Sequence, residues 1–253
     1  MITKEMLIRQ IKSMGIREND VITVHISLKA VGAVASSDGN GARVIIEALR
    51  ECVPNGLLLI PSHTWSNVRE VPVYDVRKTM PCVGALPGVA VEMANAAYDR
   101  DDRTCRRSMH PAHSVVAFGE KALEYIADDV YACTPMPENG SYRKLYTHKA
   151  KILLIGVPFE RTTFIHAVDE WIKPDGISPP YPVTAIDYEG NAATRQVCNC
   201  RPSAREFGKY RPAVEAAGAM TYGQFGNAEV IVLDAAKTAD AIKPVWRELN
   251  PNA

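Results

Sequence analysis

Residues Lys151–Ile172 read KILLIGVPFERTTFIHAVDEWI, and the change of pattern inside this stretch predicts the fold. Lys151–Val157 is an apolar run with no polar alternation after its first residue, which suits a strand covered on both faces. The loop Pro158–Thr163 interrupts it. From Thr163 to Ile172 the apolar residues recur at helical spacing. A strand covered on both faces and followed by an amphipathic helix is the repeating unit of a layered α/β sheet.

The same unit recurs upstream. Lys4–Met14 has helical spacing and is closed by Gly15, and Val21–Ile26 is a short β-branched strand. Gly39–Val53 reads as a helix, and Leu57–Ile60 as a buried strand ending at Pro61. Leu86–Ala97 and Gly119–Val130 are expected helices on either side of a strand, Ser114–Phe118. Beyond Pro174 the pattern changes. Tyr181–Tyr188 and Ala193–Cys200 are expected to form a β-hairpin around Glu189-Gly190-Asn191. A helix (Pro202–Ala217), a strand pair (Ala219–Leu233) and a last helix (Asp234–Leu249) follow. With no repeat and no linker, the expectation is one α/β/α domain over residues 1–253, its C-terminal hairpin and helices packed on the sheet as an elaboration.

Composition narrows the function classes. The 253 residues are 47% hydrophobic and 23% charged, within the range of ordinary globular proteins. Lys plus Arg and Asp plus Glu both number 29, so the basic excess of a nucleic-acid binder is missing. No apolar run approaches the length of a membrane span, and the N-terminal residues carry no signal pattern. The six cysteines are scattered, with Cys198-Asn199-Cys200 the one close pair. Reduced thiols in a soluble cytoplasmic protein are therefore expected.

Familiar motifs are mostly missing. There is no P-loop, no H-E-x-x-H and no G-x-S-x-G. Gly39–Val44 is one residue short of a dinucleotide fingerprint, and Arg205–Tyr210 fails the last position of an R/Q-x-x-G-x-G/A pyrophosphate loop. His25 ends one strand and His63 follows another, where the crevice of an open α/β sheet lies; both are equally compatible with hydrogen-bonded loop starts. Cys105, His110 and His113 could be read as metal ligands, but structural zinc usually shows tighter paired spacing and a fourth ligand. His148 lies in a polar turn and is expected to be solvated.

His166 carries the sharper hypothesis. Thr162 or Thr163 is a natural N-cap, placing His166 in the first turn of the helix after the Lys151–Val157 strand. There the helix dipole disfavours imidazolium and favours a neutral base. Asp169 and Glu170, three and four residues on, share its helix face. Either could orient the ring and stabilise the imidazolium formed by proton abstraction. The same spacing also fits a helix-start histidine with ordinary surface acids.

Ordered blocks along the chain resemble the aminoglycoside 3-N-acetyltransferase family, also called the antibiotic acetyltransferase family. They are Val24–Gly32, Pro54–Thr64, Val83–Pro87, Arg107–Val115, Lys144–Tyr146, Ile152–Val157 and Thr163–His166. The resemblance implies an α/β/α fold and an acetyl-coenzyme A cosubstrate; no metal is expected, on the ligand spacing above. It implies that Ser27, Leu28, Ser114 and Val115 contact the pantetheine arm, and that Lys29 and Arg107 meet the coenzyme phosphates. His166 matches the family's catalytic base. The family's glutamate three residues later is Asp169 here, with Glu170 next, so the identity of the orienting carboxylate is left open. Ile26-Ser27 also stands where the family often has two serines.

The activity implied is direct transfer of an acetyl group to the 3-amino group of an aminoglycoside. An N-acyltransferase acting on a different amine is the alternative. Asp75, Asp99, Asp101 and Asp102 are candidate contacts for a polycation, or solvated loop charges paired with Arg100 and Arg103.

Overall fold

The computed structural model describes residues 1–131, 133–201 and 204–251. The first half runs α1 (Lys4–Ser13), β1 (Val21–Ile26), α2 (Leu28–Val31), α3 (Gly41–Cys52), β2 (Leu57–Pro61), α4 (Asn67–Glu70), β3 (Val73–Asp75), α5 (Leu86–Asp99), β4 (Cys105–Arg107) and β5 (Val115–Phe118). The second half runs α6 (Ala122–Ile126), α7 (Ser141–Thr147), β6 (Lys151–Ile155), α8 (Phe164–Ile172), β7 (Tyr181–Ile186), β8 (Ala192–Val197), α9 (Arg211–Ala216), β9 (Met220–Phe225), β10 (Ala228–Asp234) and α10 (Ala235–Leu249).

Seven strands form the main sheet in the order β4-β5-β2-β1-β6-β10-β9. The centre is parallel: β1 pairs with β2 and with β6 in the same direction. The flanks are antiparallel, β5 on β2 and β10 on β6. The continuous apolar strands expected from the sequence are these three central ones, and their alternate residues serve two different cores. Ile22, Val24, Leu58, Ile60, Leu153 and Ile155 face one cluster, under α1, α3 and α5. Val21, Leu57, Leu59, Ile152 and Leu154 face the other, under α6 to α10. Both faces are thus covered by helices, which gives the three-layer α/β/α arrangement.

The elaboration differs from expectation. The hairpin forms, but β7 also takes β3 as a parallel neighbour, making a separate three-stranded sheet β3-β7-β8 with its own small core around Tyr74, Val76, Val183 and Val197. The three-residue strands β3 and β4 have no periodicity long enough to read. The expected helix from Pro202 to Ala217 is a 3₁₀ segment, Ala204–Tyr210, running into the short α9; Pro202 and Ser203 lie outside the described residues. Gly119–Val130 likewise divides into α6 and a 3₁₀ turn, Ala127–Tyr131.

Gly156 follows β6 at φ +63°, and a Cβ there would collide with Ala30 and crowd Ala228. Only glycine lets the chain leave the sheet this close to α2. That close passage leads the loop from the end of β6 toward α8 and His166.

Candidate active site

The carboxyl ends of β1, β2 and β6 gather the histidines. His25 lies in β1, His63 two residues past β2, and His166 in the first turn of α8. His110 and His113 join them from the turn between β4 and β5. The rings of His63 and His113 are 5.3 Å apart, and those of His110 and His113 are 5.5 Å apart. Burial holds His63 down to about 3, and the neighbouring His25, His166 and His110 add to the effect. Burial alone brings His25 and His166 to about 4. Five of the six histidines are therefore one cluster of neutral imidazoles at physiological pH, while His148 is exposed, as expected.

His166 is half-buried, its ring edge-on to Phe207 at 4.7 Å between centroids, and its Nδ1 is buried without a partner. The helix begins as expected, but neither threonine hydroxyl caps it. Thr163 makes no side-chain cap, and the Thr162 hydroxyl donates back to the Phe159 carbonyl at 2.6 Å. The ring of His63 is held by Tyr142, whose hydroxyl is 3.1 Å from Nε2. His110 is fixed as one tautomer: Nδ1 accepts from the backbone N–H groups of Ala112 and His113, so Nε2 donates to the Thr134 carbonyl at 2.9 Å.

Neither expected carboxylate bonds to His166. Asp169 Oδ1 accepts from Trp246 Nε1 at 2.6 Å and from the Tyr210 hydroxyl at 3.1 Å. Its Oδ2 is buried without a partner, and burial raises its carboxyl to about 6. Glu170 Oε2 accepts the backbone N–H of Met136 at 3.1 Å, and burial raises its pKa as well. Helical spacing put both acids on the histidine's side of α8, but donors on α10, at the end of the Ala204–Tyr210 segment and in the loop before α7 draw them elsewhere. Tyr142, Tyr210, Trp246 and Met136 are the site's unforeseen members. They arrive from other elements, Trp246 from 77 residues beyond Asp169, and carry no local signal.

The coenzyme residues divide into two groups. Ser27 is half-buried and caps α2, its hydroxyl accepting from Ala30 N–H at 3.2 Å; Leu28 is half-buried and Lys29 is exposed. These three remain accessible beside the end of β1. Arg107, Ser114 and Val115, the other three expected contacts, are buried. Arg107 is 1% exposed, and its guanidinium donates to the carbonyls of Ser62, Val76 and Thr79 and to the hydroxyls of Ser62 and Ser114, beside the Tyr74 ring. Ser114 is buried with its hydroxyl on the Ser62 carbonyl at 2.8 Å, and Val115 lies in the core between β2 and β4. A guanidinium so committed fastens the loop after β2 to the β3 region.

Among the described residues no three His, Cys, Asp or Glu side chains could hold a metal ion. Cys105 is buried in the core under α1, α3 and α5. Of the candidate polycation contacts, Asp99 pairs with Arg77 at 2.7 Å, Asp75 with Lys78 at 3.3 Å, and Asp102 accepts from Thr104. A cavity of about 720 Å³ opens beside Asp99, Asp101, Arg103 and Arg106, and another of about 500 Å³ lies against Asp169, Lys209 and Trp246. His166 lines neither of these two. Among the described residues no helix is long and apolar enough to cross a membrane.

The fold and site thus define an α/β/α protein with a neutral histidine cluster at the carboxyl ends of its parallel strands. A family model described as aminoglycoside 3-N-acetyltransferase matches residues 23–246, and the chain belongs to that family. Aminoglycoside N(3)-acetyltransferase III of Serratia marcescens is 28% identical over 182 residues, covering 65% of this chain and 62% of that protein. An aminoglycoside N(3')-acetyltransferase-like protein, YokD of Bacillus subtilis, is 27% identical over 66% of this chain and 64% of its own length. The matched region thus spans less than two thirds of these relatives. Among solved structures, AAC-IIIb in binary complex with CoASH superposes with a TM-score of 0.79 at 23% identity, covering 97% of this chain and 96% of that one. AAC-VIa bound to sisomicin gives 0.75 at 22% identity, over 97% and 98%. Identities this low show a shared fold.

Proposed function

We propose that the chain is a cytoplasmic acetyl-coenzyme A-dependent N-acetyltransferase acting on the 3-amino group of aminoglycosides, with residues 1–253 forming one domain. Family membership supports the activity class. The observation that carries the mechanism is His166: a half-buried imidazole in the first turn of α8, kept neutral by burial and grouped with His25 and His63.

The amine attacks the thioester carbonyl directly, without an acyl-enzyme. As the C–N bond forms, the nitrogen becomes strongly acidic, so a base as weak as a buried imidazole suffices to take its proton. The C–S bond then breaks, and the imidazolium returns that proton to the departing thiolate. Burial makes His166 a weak base, so the proton passes to it only once the nitrogen has gained positive charge. Ser27, Leu28 and Lys29 are the residues assigned to the coenzyme, Lys29 offering a cation to its phosphates. Asp169 acts at one remove, holding α8 through Trp246 and Tyr210.

The test is thiol release. Purified protein with acetyl-coenzyme A and a panel of aminoglycosides should liberate free coenzyme A with at least one of them. Silence across the panel, with coenzyme binding retained, overturns the aminoglycoside reading.

A further inference from the structure

Three cysteines flank the histidine cluster. Cys133 is exposed, whereas Cys198, one residue past β8, is only 3% exposed. Their sulfur atoms are 3.6 Å apart although 65 residues separate them, and the Cys198 N–H donates to the Cys133 carbonyl at 2.9 Å. Two thiols in van der Waals contact, backbones already joined, need only a small rotation to bond. Both partners continue directly into the site. Past Cys133, the Thr134 carbonyl accepts from His110 and the Met136 N–H donates to Glu170. Past Cys198, the Cys200 sulfur lies 3.8 Å from His113 Nε2.

We propose that Cys133 and Cys198 are a modification site, a dithiol that closes to an intrachain disulfide by exchange with a low-molecular-weight disulfide. The exposed Cys133 thiolate attacks one sulfur of the small disulfide. That S–S bond breaks, a mixed disulfide forms on Cys133, and one small thiolate leaves. Cys198 then loses its proton and attacks the Cys133 sulfur, and the second small thiolate leaves. Two electrons pass to the small disulfide, which ends as two thiols carrying the two protons the cysteines gave up. Exposure sets the order. Cys133 is open to a reagent in solution, while Cys198 is shielded from it and sits against the mixed disulfide as it forms. The bond fastens the 133–136 segment, and with it the partners of His110 and Glu170, to the end of β8.

The experiment uses the full chain and glutathione disulfide as the probe. The protein is incubated, its remaining thiols are alkylated, and the digest is read by mass spectrometry. The expected product is a peptide pair joined through Cys133 and Cys198, two hydrogens lighter than the free pair and reversed by dithiothreitol. Cys198→Ser should leave a stable glutathione adduct on Cys133. Cys133→Ser should slow modification of Cys198 by about tenfold or more, since the exposed entry thiol is gone. Wild-type protein that accumulates the Cys133–glutathione adduct while Cys198 stays alkylatable, or that crosslinks only between chains, overturns the proposal.

Discussion

Trp246 donates its indole N–H to Asp169 Oδ1 at 2.6 Å, which ties α10 to α8 and commits the acid three residues beyond His166 to a partner other than the histidine. The bond lies in the core, with Trp246 7% and Asp169 2% exposed. Trp246→Phe removes the donor and keeps most of the ring. It should cost about 1–3 kcal/mol, the usual penalty for stripping a partner from a buried polar group. Urea unfolding measures this, and an unchanged midpoint would show that the bond contributes nothing.

His166→Ala should lower kcat by about 10²–10⁴-fold, the usual contribution of a general base, with coenzyme affinity kept. Asp169→Asn should lower the rate more than Glu170→Gln, acting through the position of α8. The pair is compared by steady-state thiol release alongside coenzyme titration. Wild-type turnover by His166→Ala removes the histidine from the reaction.

Arg107 and Lys29, both expected to meet phosphate, should separate. Arg107→Ala takes a donor from the carbonyls of Ser62, Val76 and Thr79 and should destabilise the fold by about 3–5 kcal/mol, the scale for breaking a buried charged network. Lys29→Ala should leave thermal stability unchanged and raise KM for acetyl-coenzyme A in a salt-dependent way. A stable Arg107→Ala variant with only a raised coenzyme KM would return the guanidinium to phosphate binding.

Acid should unfold this protein through its histidines. An unfolded imidazole titrates near 6.5, whereas folding holds His25 and His166 to about 4 and His63 to about 3. Between about pH 6.5 and 4 the unfolded chain binds more protons, so the stability these rings contribute above that range is lost as pH falls. Asp169, raised to about 6, opposes the trend, because its folded form holds a proton that the unfolded form sheds. With His110 and His113 also lowered and Glu170 also raised, five imidazoles against two carboxyls leave a net loss. The melting temperature should drop by several degrees between pH 7 and 4.5, and Asp169→Asn should steepen the slope. A flat profile would contradict the burial of the histidines.

The layered sheet was legible because its central strands are apolar on both faces, and only a sheet covered by two helical layers requires that. The separate sheet was not. Its β3 strand, Val73–Asp75, is too short for a period of two to show, and its pairing with β7 joins segments over a hundred residues apart. His166 was legible because a strand, a short loop and a helix start are local features. The partners of Asp169 and Glu170 were not, since helical spacing says which face a side chain shares and not which donors the rest of the chain brings to it.

Sequence by itself therefore determined the three-layer architecture, the family, and the place of one histidine at the start of a helix beyond a parallel strand. Those follow from periodicity and short-range order. Tertiary structure alone decided that five histidines meet, that Arg107 is an internal brace, and that Asp169 belongs to Trp246 and Tyr210. Hydrogen bonds and burial between distant segments depend on where folding brings the chain together, and no local pattern encodes that.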